Sequence, residues 1–153
     1  MWYHSDMKRY VVGFMFSGDG LDVCLILKNR PEWQAGKFNG VGGKIEPTDQ
    51  SSAAAMCREF FEETGVNTDE CEWDNFLLMR CDKESKIPGN TNPFEIYFFR
   101  AFSTKIWNVG TTTDEMISIV LADDLPGNVV PNLKWLVPMA RNRNMLYGEV
   151  TVK

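Results

Sequence analysis

No two cysteines in this 153-residue chain are spaced Cys-x2-Cys. The four thiols, Cys24, Cys57, Cys71 and Cys81, are scattered, and their spacing argues against a zinc site. Cys24 and Cys57 lie in apolar stretches and read as buried thiols. That suits a reducing compartment, with a disulfide left open. No apolar run approaches the length needed to span a membrane. The start, Met1-Trp2-Tyr3-His4-Ser5-Asp6-Met7, lacks the basic-then-apolar layout of a secretory signal. The expectation is a cytoplasmic protein, monomer or homodimer, with no membrane partner. Basic excess is missing too: 16 Lys and Arg against 21 Asp and Glu leave a net charge of −5. That balance disfavours stable nucleic-acid binding. It does not disfavour a nucleotide enzyme, because a bound metal inverts the sign of an acidic site. Internal repeats and low-complexity segments are absent.

What is present is the composition of a globular domain. Apolar residues make up 44% of the chain, which argues against disorder. The length suits one domain, 1–153, with a sizeable core. Residues 10–16 read as a strand, 17–20 as a turn, and 22–28 as a second strand completing a hairpin. A loop follows over 29–36, then a short Gly-rich, partly extended segment, 37–44. Ser51 or Ser52 caps a helix running to Thr64, and Gly65 gives it a left-handed stop. Its core-facing stripe is Ala53, Met56, Cys57, Phe60, Phe61 and Thr64. Strands are expected over 72–81, 94–102 and 116–121. The Pro/Gly/Asn-rich stretch 87–93 is a loop inside the domain. Leu133, Leu136, Val137 and Ala140 repeat at helical spacing in a second helix, 133–142, capped by Asn132. The tail from 146 to 152 adds a short strand.

The most informative stretch is 43–66. Glu59, Glu62 and Glu63 fall at i, i+3 and i+4 and project from one side of the first helix. Like charges at that spacing repel. A chain that keeps three together calls for a divalent cation to neutralise them, and hard cations such as Mg2+ take carboxylate oxygens while keeping positions for water and phosphates. The competing reading is a solvated acidic helix face. It explains neither the Gly-Gly before the helix nor the Arg beside the first Glu.

These residues resemble the Nudix box, Gly-x5-Glu-x7-Arg-Glu-U-x-Glu-Glu-x-Gly-U, where U is a bulky apolar residue. Arg58-Glu59-Phe60-Phe61-Glu62-Glu63-Thr64-Gly65-Val66 fits its second half. The first half departs. Counting from Gly43 puts Asp49 in the first acidic slot, with eight residues before Arg58; counting back from Arg58 puts Gln50 there. A one-residue insertion accounts for this, and either Asp49 or Glu46 fills the slot. The resemblance implies an α/β/α sandwich with a mixed sheet and two main helices, its core about 9–141.

The resemblance also implies an activity: Mg2+-dependent (Mn2+ also serving) hydrolysis of a nucleoside triphosphate to monophosphate and pyrophosphate, with an oxidised purine such as 8-oxo-dGTP among the candidates. The alternatives are another diphosphate-linked nucleotide, such as ADP-ribose or a nucleotide sugar, and a nucleotide-sensing module without turnover. Glu59 and Glu63 are the best pair to hold the metal, with Glu62 for a second ion or a water, and the Gly43 carbonyl joins by family position. Arg58 reaches Glu62 at i+4 and holds carboxylates in place, or is a plain surface ion pair. The loop 111–116 resembles the place where MutT-like enzymes carry a glutamate near the metals. That makes Glu115 the first candidate base and Glu62 the second. Phe38-Asn39-Gly40-Val41-Gly42-Gly43-Lys44 resembles a MutT-like segment. Asn39 offers a donor and an acceptor to a base edge, Lys44 a phosphate contact, and Trp33 a stacking surface. Asn132 is a base reader or a simple cap.

Overall fold

The first strand organises the molecule. In the computed structural model, which describes residues 7–82 and 93–152, β1 (Lys8–Phe16) is buried on both faces. Val11 and Met15 enter one core, Phe14 and Phe16 the other. A strand covered on both sides reads as a continuous apolar run rather than an alternation. β1 has different neighbours along its length. Its first half pairs antiparallel with β4 (Val41–Lys44), and Phe16 pairs with Val23 of β2 (Asp22–Leu27). On the other side it runs parallel to β6 (Phe94–Phe102) along its whole length. With β3 (Phe38–Asn39), β5 (Asp74–Cys81) and β8 (Gly148–Val152), the sheet order is β3-β2-β1-β6-β5-β8. β4 also joins β1, and β7 (Ile117–Leu121) also joins β2.

Each sheet face carries one helix. α1 (Ser52–Thr64) covers the Val11 face through Ala55, Met56 and Phe60. α2 (Leu133–Arg141) covers the Phe14 face through Leu133, Leu136, Val137 and Ala140. This is the expected α/β/α sandwich with a mixed sheet. The Ser51 hydroxyl accepts from the Ala54 amide at 3.0 Å, so Ser51 and not Ser52 is the cap. Gly65 ends α1 at φ 78°. Gly13 brings α1 close to the sheet: a Cβ there would stand 2.7 Å from the Met56 sulfur. On the other face, the buried Arg100 guanidinium binds Asp74 at 2.9 Å and the carbonyls of Asn142 and Met145 at 2.8 and 2.7 Å. It thereby anchors the chain between α2 and β8.

Several expectations need correction. Phe61 is not in the core: it is 47% exposed. Glu59 takes the inward position instead, so the buried stripe runs through Ala55, Met56, Glu59 and Phe60, and Phe61 faces outward. Asn132 does not cap α2. Its backbone is already helical (φ −71°, ψ −12°), inside a turn that starts at Val130, and its side chain makes no cap bond. The third strand starts at Asp74, because residues 70–72 form a single 3-10 turn closed by a capping box between Asp69 and Glu72. Another short turn, Thr104–Asn108, which the periodicity does not reveal, seats Ile106 in the α1-side core. All four cysteines are free thiols. Burial pushes the Cys24 thiol up to about 12. Residues 87–92 of the proposed internal loop lie outside the described residues. Among the described residues, no helix is long and apolar enough to cross a membrane.

Candidate metal and active site

β4 delivers Gly43 to the face of α1 that carries Glu59. An added Cβ on Gly43 would lie 2.5 Å from the Glu59 carboxyl carbon and Oε2, and 2.6 Å from Oε1. Only a residue without a side chain lets the backbone meet a carboxylate this closely. Glu59 is 9% exposed, Glu63 half-buried and Glu62 exposed. Burial raises the Glu59 carboxyl above its ordinary range; Arg58 opposes this, and Glu62 and Glu63 reinforce it. Burial also raises Glu63, opposed by the Thr113 hydroxyl and Lys28 and reinforced by Glu115 and Glu62.

Arg58 gathers the acids. Its Nη1 donates to Glu59 Oε2 at 3.0 Å and to Glu62 Oε1 at 3.1 Å. Nε and Nη2 donate to the two oxygens of Asp49 at 2.9 and 2.8 Å, and Nη2 also to the Lys44 carbonyl at 3.0 Å. All five guanidinium donors are thereby used. The Asp49 hydrogen bonds are the main reason the guanidinium holds its proton more tightly than usual. Asp49 in turn accepts from the Glu46 amide at 2.7 Å, and Arg58 holds its carboxyl below the ordinary range. The Glu46 side chain is exposed. The loop with the extra residue thus turns Asp49, not Glu46, onto Arg58.

A second layer comes from the loop before β7. Thr112 Oγ1 donates to the Glu62 carbonyl at 2.5 Å, and the Gly110 amide to the Thr64 carbonyl at 3.0 Å. Thr113 Oγ1 donates to Glu63 Oε2 at 3.0 Å and accepts from the Glu115 amide at 3.1 Å. Glu115 is 3% exposed. Its Oε1 takes the Lys28 ammonium at 2.9 Å and its Oε2 the Asn29 amide at 2.6 Å. Burial pushes the Glu115 carboxyl up, but these partners outweigh it and hold the group below its ordinary range.

The substrate candidates lie on adjoining segments. Asn39 donates to Gln34 Oε1 at 2.8 Å and accepts from the Gly40 amide at 2.7 Å. Its side chain is therefore pre-set by its own loop. Trp33 is 41% exposed in a single 3-10 turn, Glu32–Gln34. Lys44 is exposed at the end of β4. The Val130 amide bonds to the Phe38 carbonyl at 2.9 Å, which lays the entry to α2, with Asn132, beside the strand that carries Asn39. Gly43, Arg58, Glu59 and Glu62 are brought together directly, while Glu63 lies close enough to Glu59 to influence its charge and is tied to the backbone of Glu115 through Thr113. Sequence reading overlooked Lys28 and Thr113. They reach the site from 35 and 50 positions away from Glu63, and no local pattern marks them.

Among the described residues no three His, Cys, Asp or Glu side chains converge tightly enough to form a ready ion cage. Glu59 and Glu62 accept hydrogen bonds from Arg58, and Glu63 accepts one from Thr113. The donor set nevertheless fits a hard divalent cation. It is all oxygen, and it is flanked by the Gly43 cradle.

A family model described as NUDIX domain matches residues 7–137. Among solved structures, the chain is similar to a mutator MutT protein from Bacillus halodurans. The identity is 19%, the TM-score 0.67, and the match covers 94% of this chain and 89% of that one. It is also similar to a MutT NUDIX hydrolase from Burkholderia pseudomallei, with 17% identity, TM-score 0.68 and coverage of 86% and 96%. An ADP-ribose pyrophosphatase from Streptococcus suis matches with 17% identity, TM-score 0.57 and coverage of 94% and 98%. No curated protein sequence matches the chain. At these identities the solved structures show the fold, and the family model shows the kinship.

Proposed function

We propose that this chain, which belongs to the NUDIX family and so is a hydrolase of phosphorus-containing anhydride bonds, cleaves a nucleoside triphosphate to monophosphate and pyrophosphate. The observation that carries this reading is the meeting of Gly43 with the Glu59 carboxylate beneath the Arg58 hub. Gly43, Glu59, Glu62 and Glu63 would hold Mg2+, or Mn2+ in its place. When bound, the ion supplies charge neutralisation at phosphate oxygens and a more acidic water.

The chain's own residues do the rest. Arg58 keeps two carboxylates in fixed positions, and Asp49 keeps Arg58 in place. Glu62 takes the proton of the attacking water, because among the described residues Arg58 alone hydrogen-bonds its carboxylate, which stays open to solvent. Glu115 is a poorer base than its loop position suggests, since both of its oxygens are engaged. It positions Lys28 instead. Lys44 meets a phosphate, Trp33 stacks on the base, and Asn39 and Asn132 read the base edge. The whole chain acts as one domain.

The test is a hydrolysis panel of canonical triphosphates, 8-oxo-dGTP, ADP-ribose and a nucleotide sugar, with Mg2+ or with chelator, and with product identification. Pyrophosphate and monophosphate released from a triphosphate only with Mg2+ support the reading. Turnover confined to ADP-ribose or the nucleotide sugar would overturn the triphosphate assignment.

A further inference from the structure

We propose that Thr113 is a positioning residue whose hydroxyl sets the Glu63 carboxylate for cation binding and locks it to the Lys28–Glu115 pair. The proposal rests on the reading of Glu63 as a metal ligand. Thr113 Oγ1 has one proton to give, and Glu63 Oε2 at 3.0 Å takes it in preference to the Glu115 carbonyl at 3.5 Å. The lone pairs receive the Glu115 amide at 3.1 Å. One hydroxyl therefore touches the carboxylate of α1 and the backbone of the residue that holds Lys28 and the Asn29 amide.

The geometry distributes tasks among neighbouring hydroxyls. Thr112 ties the same loop to α1, but through the Glu62 backbone carbonyl and without touching a carboxylate. Loop docking and carboxylate orientation are thus carried by different side chains. A half-buried glutamate with no partner must surrender its rotamer freedom when it takes up an ion. Thr113 removes that freedom in advance: it engages Oε2, and among the described residues Oε1 accepts no hydrogen bond. Hydrogen bonds of this kind behind a metal ligand change metal affinity about 10- to 100-fold.

The test compares Thr113→Val, Thr113→Ser and Thr112→Val with wild type and with Glu63→Gln. Mn2+ dissociation constants are read from the free-ion EPR signal, and kcat and the Mg2+ activation constant are measured alongside. Expected is an about tenfold weaker Mn2+ affinity in Thr113→Val, recovery in Thr113→Ser, and little change in Thr112→Val. In a Glu63→Gln background, Thr113→Val should have no further effect on Mn2+. Wild-type affinity in Thr113→Val, while Glu63→Gln binds weakly, would overturn the proposal and leave the ligand assignment standing. Equal losses in Thr112→Val and Thr113→Val would overturn it in favour of general loop docking. Unchanged binding in Glu63→Gln would overturn the ligand assignment itself.

Discussion

Replacing Gly43 by alanine separates folding from function. The φ of Gly43 is not in the left-handed region, so an alanine backbone fits there without strain. The obstacle is the Glu59 carboxylate, 2.5 Å from the new Cβ. Ordinary carbon contacts lie at about 3.5 Å or more, so the carboxylate must retreat by about 1 Å. That retreat breaks the 3.0 Å bond from Arg58 Nη1. A hydrogen bond to a charged group contributes about 1.5–3 kcal/mol. Because the Arg58 side chain is 28% exposed, water screens part of it, and about 1–2 kcal/mol is the expected cost. For a chain of this size that lowers Tm by about 3–6 °C. The catalytic loss should be much larger, because a misplacement of about 1 Å costs about 100-fold in rate. Calorimetry with and without Mg2+, together with steady-state kinetics on the preferred triphosphate, measures both. A Gly43→Ala variant with wild-type kcat and an unchanged Mg2+ response would refute the argument that this close approach builds the site.

Three further outcomes follow from the same geometry. Asp49→Asn should lower kcat about tenfold or more and reduce stability, since Asp49 receives two Arg58 bonds; Glu46→Gln should behave as wild type, and the reverse pattern in kinetics would reassign the slot. Burial raises Glu59 and Glu63 above the ordinary glutamate value of 4.5, so the native state holds protons there that the unfolded chain has lost. Metal-free stability from these two groups therefore falls as pH rises from 4.5 through the raised values. Mg2+ binds the ionised form, so the Tm gain from Mg2+ should be small near the bottom of that window and reach a plateau above it; a gain independent of pH would contradict the assignment. Asn39→Ala should cost about 1–3 kcal/mol in kcat/KM for the preferred nucleotide and much less for poor ones; a uniform drop across a nucleotide panel would mean that Asn39 serves only its bonds to Gln34 and Gly40.

The α1 helix is legible in the sequence because its signals are local. Ser51, the paired glutamates and Gly65 all act within one or two turns, and each occupies the place their spacing implies. Phe61 faces outward for a tertiary reason: an acidic residue, Glu59, takes the inward position beside Gly43, which hydrophobic periodicity does not anticipate. Asn132 makes no cap because the chain enters α2 through a tight turn that is already helical, a path that helical spacing alone does not reveal. The choice between Asp49 and Glu46 depended on the path of one loop, which residue counting left undecided. The links from Thr113 to Glu63 and from Lys28 to Glu115 join segments 50 and 87 positions apart, and they exist only once β2, α1 and the loop before β7 have assembled.

In the proposed function the α1 carboxylates hold a divalent cation that hydrolysis requires. The most direct measurement is triphosphate turnover by wild type, Glu59→Gln and Glu63→Gln at saturating Mg2+, with the Mg2+-induced Tm shift read on the same samples. Expected are a stabilising shift and turnover in wild type, and folded variants in which both effects are lost, with kcat lower by orders of magnitude. Full turnover and an unchanged Mg2+ shift in either variant would contradict it.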